Sequence, residues 1–168
     1  MTPEQERAHR ALSFIIPRIE STKMRWVVTG GFACYVYDVE RPITDIDIDL
    51  DTSKDSPVFQ KFVADLQDCT TQPLEHFVDQ NYDNYNFEIT IGGQVIDICP
   101  IAEMKVFVKE AGQYENFYKD GFPPIEIVDF FGLSLPLLAK ALIVKNKEML
   151  VWKRERDTTD IAGLRTLM

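Results

Sequence analysis

Apolar positions recur at helical spacing over residues 3–21, where Leu12, Ile15, Ile16 and Ile19 share one face. Thr2 precedes Pro3 as an N-cap should, Glu4 and Glu6 suit the positive helix end, and Pro17 predicts a kink. A short apolar run, Trp26 to Val28, then ends at Gly30-Gly31, and Phe32 to Val39 again has helical spacing. Strict alternation follows in Asp45-Ile46-Asp47-Ile48-Asp49-Leu50, the period of a strand. Residues 56–70 predict a helix capped by Ser53 or Asp55, with Phe59, Phe62, Val63 and Leu66 on its inner face.

Residues 74–80 and 84–91 alternate as short strands around an Asp83-Asn84 turn, and a Gly92-Gly93 hairpin joins Phe87–Ile91 to Val95–Cys99. A second hairpin is expected over 105–118 and a further strand over 125–131. Ser134 and Pro136 read as the cap and first residue of a helix over 136–149. That helix would turn Leu137, Leu138, Ala141, Leu142 and Val144 inward and Lys140, Lys145 and Lys147 outward, ahead of a last short helix over 158–167. The whole predicts one α+β domain, a mixed and largely antiparallel sheet with helices packed on one side. Its core spans about residues 22–132 and its C-terminal helices about 134–168.

The composition is that of a soluble globular chain, with 45% hydrophobic and 27% charged residues. A net charge of −9 disfavours an extended nucleic-acid interface, which needs clustered Lys and Arg. No apolar run is long enough to span a bilayer, and the polar N-terminus resembles no signal peptide. Cys34, Cys69 and Cys99, odd in number and far apart, read as free thiols. The expected location is the cytoplasm.

The chemistry concentrates between Val27 and Leu50. Asp45, Asp47 and Asp49 share one strand face, where like charges repel unless a cation offsets them. Hard oxygen ligands suit Mg²⁺ or Mn²⁺, and Mg²⁺ is commonly shared between carboxylates and substrate phosphates. Gly30-Gly31, between strand and helix, permits close backbone approach to an anion. Asp97 sits inside an apolar strand, where a charge is costly to bury unless it is paired or metal-bound.

Gly-Gly, a short helix, Arg41 and then Asp45-Ile46-Asp47 resembles the signature of the nucleotidyltransferase (DNA polymerase β-like) superfamily. More narrowly the pattern is similar to the small minimal nucleotidyltransferases and their AbiEii-type toxin relatives. The tail, Leu-x-x-Lys followed by Arg-x-Arg-Asp-x-x-Asp-Ile, is similar to the C-terminal helices of the same small enzymes. The sequence departs from the family pattern at Asp38, where many relatives carry glycine, and at Thr44, with Ile43 in the usual threonine position.

The resemblance implies nucleotidyl transfer from an NTP with two Mg²⁺ ions, or Mn²⁺, held by Asp45, Asp47 and a third carboxylate. Asp97 matches the third position, Glu88 is the runner-up, and Asp49 lies one step beyond the family register. Gly30 and Gly31 would form the phosphate loop. Arg41 would either pair with the aspartates or contact phosphate, and Lys140 and Lys145 are candidate phosphate contacts. Tyr82 and Tyr85 fit sheet packing better than a nucleobase pocket. The acceptor could be a small molecule, a tRNA end or a protein side chain. The rival expectation is a non-catalytic nucleotide- or protein-binding module on the same fold, as in a toxin–antitoxin pair.

Overall fold

The computed structural model describes residues 1–168. Helix α1 runs unbroken from Pro3 to Thr22 through Pro17, opened by a reciprocal Thr2–Gln5 capping box and closed by Lys23 in the left-handed region. Its buried face carries Ala8, Ala11, Leu12, Ile15, Ile16 and Ile19. Strand β1 (Trp26–Thr29) leads directly into the two-turn helix α2 (Gly30–Val36), and β2 (Asp45–Leu50) returns antiparallel to β1. Asp38, just after α2, has φ of +67°, a conformation that glycine adopts freely and aspartate tolerates better than most residues.

Helix α3 (Pro57–Asp65) is shorter than expected. The chain then makes one 3₁₀ turn over Gln67–Cys69 and enters β3 (Thr70–Val78). Strand β4 (Tyr82–Ile91) pairs antiparallel with β3, so the turn falls at Asp79–Asn81 and Asp83 and Asn84 lie within the ladder. Asp79 Oδ1 accepts from the backbone N–H of both Asn81 and Tyr82, which fixes that turn. Strand β5 (Gln94–Pro100) follows, then the hairpin of β6 (Lys105–Val108) and β7 (Gln113–Asn116).

Strand β8 (Ile125–Phe130) meets a real departure from expectation: Leu133–Leu138 is not helical but forms β9, antiparallel to β8. Ser134 and Pro136 mimic a helix start. The turn between the strands decides otherwise, because Phe131 and Gly132 have φ of +50° and +88°, the pair of positive values that a tight hairpin requires. Pro136 is tolerated because the ladder from β9 to β1 is a single register pair, Val28 with Leu137. Helix α4 therefore starts later, at Lys140, and ends at Met149; α5 runs from Glu155 to Thr166.

The nine strands form one mixed sheet in the order β7-β6-β4-β5-β2-β1-β9-β8, with β3 on β4. Only β2 with β5 and β1 with β9 are parallel. Ile46, Ile48, Ile96, Ile98, Phe87 and Ile89 turn to one face and are buried in the main core together with α1 and α3 residues. The rings of Phe59 and Phe62 from α3 meet Phe87 edge-on at 6.0 and 6.3 Å. Alternation sends the acidic residues of β2 and β5 to the opposite face, where α4 and α5 share a cavity with them. No helix is long and apolar enough to cross a membrane.

Candidate active site

Sheet register builds the site. Thr29, Asp47, Asp97 and Glu88 occupy one row across β1, β2, β5 and β4, and Gln72 on β3 extends it. Neighbouring strands lie about 4.8 Å apart, so Asp47 and Asp97 stand side by side on one face. The adjacent row places Asp49 beside Cys99, and on the other side Asp45 pairs with Val95. All four aspartates line a cavity of about 410 Å³, together with Glu88, Gly30 and Gly31.

The glycines meet the site at close quarters. Gly30 has φ of +61°, and a Cβ there would lie 1.9 Å from Asp47 Oδ2. At Gly31 a Cβ would fall 2.2 Å from Arg41 Nη2. The positive φ thus belongs to Gly30, while Gly31 makes room for a guanidinium. Arg41 does not pair with the aspartates of β2: its Nη1 pairs with Asp160 Oδ2 at 2.5 Å, both groups buried, and it lines the cavity.

Lys140 and Lys145 do not join this cavity. Lys140 pairs with Glu126 at 2.6 Å and lies over the Tyr37 ring, whereas Lys145 is exposed and borders a separate cavity of about 300 Å³. Lys147, expected to face outward, turns inward instead, on the buried face of α4 with Ile143 and Val144. Its Nζ sits 2.7 Å from Asp157 Oδ1 and 3.0 Å from Asp160 Oδ2, and Arg154 completes the cluster at 3.1 Å from Asp157. This network ties α4, α5 and the Arg41 loop to one another beside the cavity. Its only trace in the sequence is the family-like Arg-x-Arg-Asp-x-x-Asp tail.

Electrostatically the carboxylates are under-compensated. Burial pushes the Asp47 carboxyl well above its usual range, and Asp45, Asp97 and Asp49 add to the rise. Burial raises Asp97 to about 6, opposed by an Asn86 Nδ2 hydrogen bond of 2.9 Å and reinforced by Glu88. Asp49 rises to about 7, again through burial, although the Tyr118 hydroxyl donates to it. Lys147, the one cation that eases Asp47, is already held by Asp157 and Asp160.

No three or more His, Cys, Asp or Glu side chains converge here into a ready-made metal cluster. Unneutralised carboxylates gain nothing by converging. The donor chemistry nonetheless fits a hard divalent cation, because oxygen ligands face one cavity in adjacent rows.

Compared as a sequence, the chain matches no family model and no curated protein. Its structure does find relatives. A candidate nucleotidyltransferase from Thermotoga maritima superposes with a TM-score of 0.62 at 19% identity, over 79% of this chain and 77% of that one. This is the nucleotidyltransferase fold. An antigenic nucleotidyltransferase-like protein from Paracoccidioides brasiliensis matches at a TM-score of 0.58 and 12% identity, covering 99% of this chain and 77% of the other. ANT(2'')-Ia, solved in complex with adenylyl-2''-tobramycin, matches at 0.56 and 15% identity over 95% of this chain and 89% of its own. Within the nucleotidyltransferase fold of this chain, the Gly30-Gly31 turn and the aspartates of β2 and β5 meet at one cavity.

Proposed function

We propose that this chain transfers a nucleotidyl group from a nucleoside triphosphate to an acceptor hydroxyl, using Asp45, Asp47 and Asp97. The observation that carries the reading is the Asp47–Asp97 register pair, facing Gly30 and Gly31 across one cavity of the nucleotidyltransferase fold. Asp45, Asp47 and Asp97 would hold Mg²⁺ or Mn²⁺. Such a cation, when bound, neutralises triphosphate charge and lowers the pKa of the acceptor hydroxyl.

The chain's own groups do the positioning. The side chains missing at Gly30 and Gly31 let Asp47 and the Arg41 guanidinium pack against the turn, and the backbone of that turn would be the contact for phosphate. Asp97, oriented by the Asn86 amide, holds the acceptor hydroxyl and takes its proton as the oxygen attacks the α-phosphorus and pyrophosphate leaves. The Arg41–Asp160–Lys147–Asp157 network keeps α4 and α5 in place along the cavity. The adenylylated compound bound by ANT(2'')-Ia supports the same class of transfer here.

A non-catalytic binding module is not favoured, since it leaves four carboxylates crowded on one cavity at a cost in stability and with no use. Calorimetric titration of ATP, GTP, CTP and UTP, each with and without Mg²⁺, tests the proposal. At least one should bind, and only with Mg²⁺. If none binds in its presence, the chain is not a nucleotidyltransferase.

A further inference from the structure

Thr29, Tyr82 and Tyr118 bring the chain's own hydroxyl groups to the aspartate cavity. They differ in what holds them. The Tyr118 hydroxyl donates to Asp49 Oδ2, whereas those of Thr29 and Tyr82 bond to no carboxylate. Asp49 is buried and lines the same cavity, two residues along β2 from Asp47. A nucleophile with its base already in place is thus built into the wall.

The turn that carries Tyr118 is itself fixed. Phe117 N–H donates to Met104 O at 2.9 Å, Tyr118 N–H to Asn116 Oδ1 at 2.9 Å, and Gly121 N–H to Tyr118 O at 3.0 Å. The Tyr118 ring meets Phe117 edge-on at 4.8 Å, and Phe117 meets Tyr82 at 6.4 Å. Phe117, Tyr118, Leu138 and Asn146 line both this cavity and the separate one of about 300 Å³. The ring therefore has partners that set its hydroxyl and space on its far side into which it can yield as a bulkier group forms. Spacing agrees with this. Residues two apart on a strand face stand about 6.8 Å apart, so the Asp49–Tyr118 pair lies one row from Asp47 and Asp97. A single phosphoryl group spans such a gap when an attacking oxygen approaches to about 3–3.5 Å.

We propose that Tyr118 is an internal acceptor, at which this chain nucleotidylates itself when no other acceptor fills the cavity. The proposal rests on the transfer reading above and adds an activity to it. Tyr118 Oη bonds to the α-phosphorus, the bond from that phosphorus to the bridging β-phosphate oxygen breaks, and pyrophosphate leaves with the electron pair. The phenolic proton passes to Asp49, which already accepts it in a hydrogen bond. The product is a tyrosyl phosphodiester whose nucleotide stays in the cavity and bars further NTP.

The full chain, incubated with Mg²⁺ and each of ATP, GTP, CTP and UTP without added acceptor, is examined by intact mass and peptide mapping. With at least one nucleotide the mass should rise by one nucleoside monophosphate, on the peptide that holds Tyr118. Because the step is intramolecular, the rate per chain should be unchanged by roughly tenfold dilution. The adduct should resist hydroxylamine, which cleaves an acyl phosphate on aspartate but not a tyrosyl ester. Calorimetry should show the modified chain binding that NTP at least about tenfold more weakly than the unmodified one. Tyr118→Phe should lose the adduct and keep Mg²⁺-dependent NTP affinity within a few-fold; if that variant does not fold, the parent's peptide map decides alone. An NTP-binding chain that gains no mass, an adduct on Tyr82, Thr29 or an aspartate, or a rate that rises with protein concentration would each overturn the assignment and leave the transfer reading standing. If no NTP binds at all, the transfer reading fails and the internal acceptor with it.

Discussion

Asp47 occupies the space that a side chain on Gly30 would need, with Oδ2 only 1.9 Å from where that Cβ would stand. Turn and carboxylate are thus one unit, since whatever moves Gly30 also moves the residue at the centre of the acidic row. Gly30→Ala should therefore do two things. The φ of +61° costs about 1–2 kcal/mol for a residue with a Cβ, and displacement of Asp47 should weaken Mn²⁺ binding on the proposed reading. Chemical denaturation and Mn²⁺ titration would read both. A variant that keeps parental stability and Mn²⁺ affinity would separate turn from carboxylate.

Asp47→Asn should lose Mn²⁺ binding and still gain stability as the metal-free protein, because it removes a buried charge that Asp45, Asp97 and Asp49 oppose. Thermal melts in EDTA and in Mn²⁺ should therefore move in opposite directions relative to the parent. Unchanged Mn²⁺ affinity would show the metal assignment to be wrong.

Asp97→Asn separates binding from chemistry. On the proposed reading the remaining aspartates and the glycine turn still hold Mg²⁺·NTP, so its affinity should change by only a few-fold. Transfer should fall by ~10³, about 4 kcal/mol of transition-state stabilisation, because the interaction with the acceptor hydroxyl strengthens as the transition state forms. Pyrophosphate release measured against NTP affinity is the check; a smaller loss of rate would pass the role to Glu88, its neighbour in the register.

Two opposing ionisations shape the pH dependence of the metal-free chain. Asp157 is pushed up by burial, but hydrogen bonds from Arg154 and Lys147 outweigh this and bring it to about 2. Its contribution is present above the unfolded carboxyl pKa of about 4 and is lost as pH falls through about 2. Asp97 and Asp49, raised to about 6 and 7, act in reverse: their contribution is full below pH ~4 and is lost as pH rises through their folded values. Metal-free protein should thus be most stable near pH ~4–5, and Mg²⁺ should extend that stability towards neutrality. Denaturation midpoints across pH, with EDTA or Mg²⁺, test this directly.

Lys147→Met should cost about 3–5 kcal/mol, since it strips one partner from two buried aspartates at once. Lys145→Met, on the exposed side of the same helix, should cost less than about 0.5 kcal/mol. Equal losses in urea titrations would mean that the network does not hold α4 to α5.

What the sequence determined by itself is what strand alternation and short spacing encode. Asp45, Asp47 and Asp49 share a face because successive side chains of a strand alternate, and the Gly92-Gly93 hairpin brings β4 and β5 together locally. Glycine before an alternating acidic strand was legible for the same reason. Tertiary structure alone decided the rest. Pairing of β2 with β5 placed Asp97 rather than a neighbour beside Asp47, and a one-residue shift would have turned it into the core. Arg41 found Asp160 across 119 residues of chain, a partnership no local pattern specifies. Ser134 and Pro136 have the chemistry of a helix start, yet cross-strand pairing with β8 overrode that propensity and delayed α4 to Lys140. Packing of α4 against α5, through Asp157 and Asp160, set Lys147 rather than Lys145 at the cavity. Local preferences are worth a few tenths of a kcal/mol to about 1 kcal/mol per residue, and burial across the sheet outweighs them.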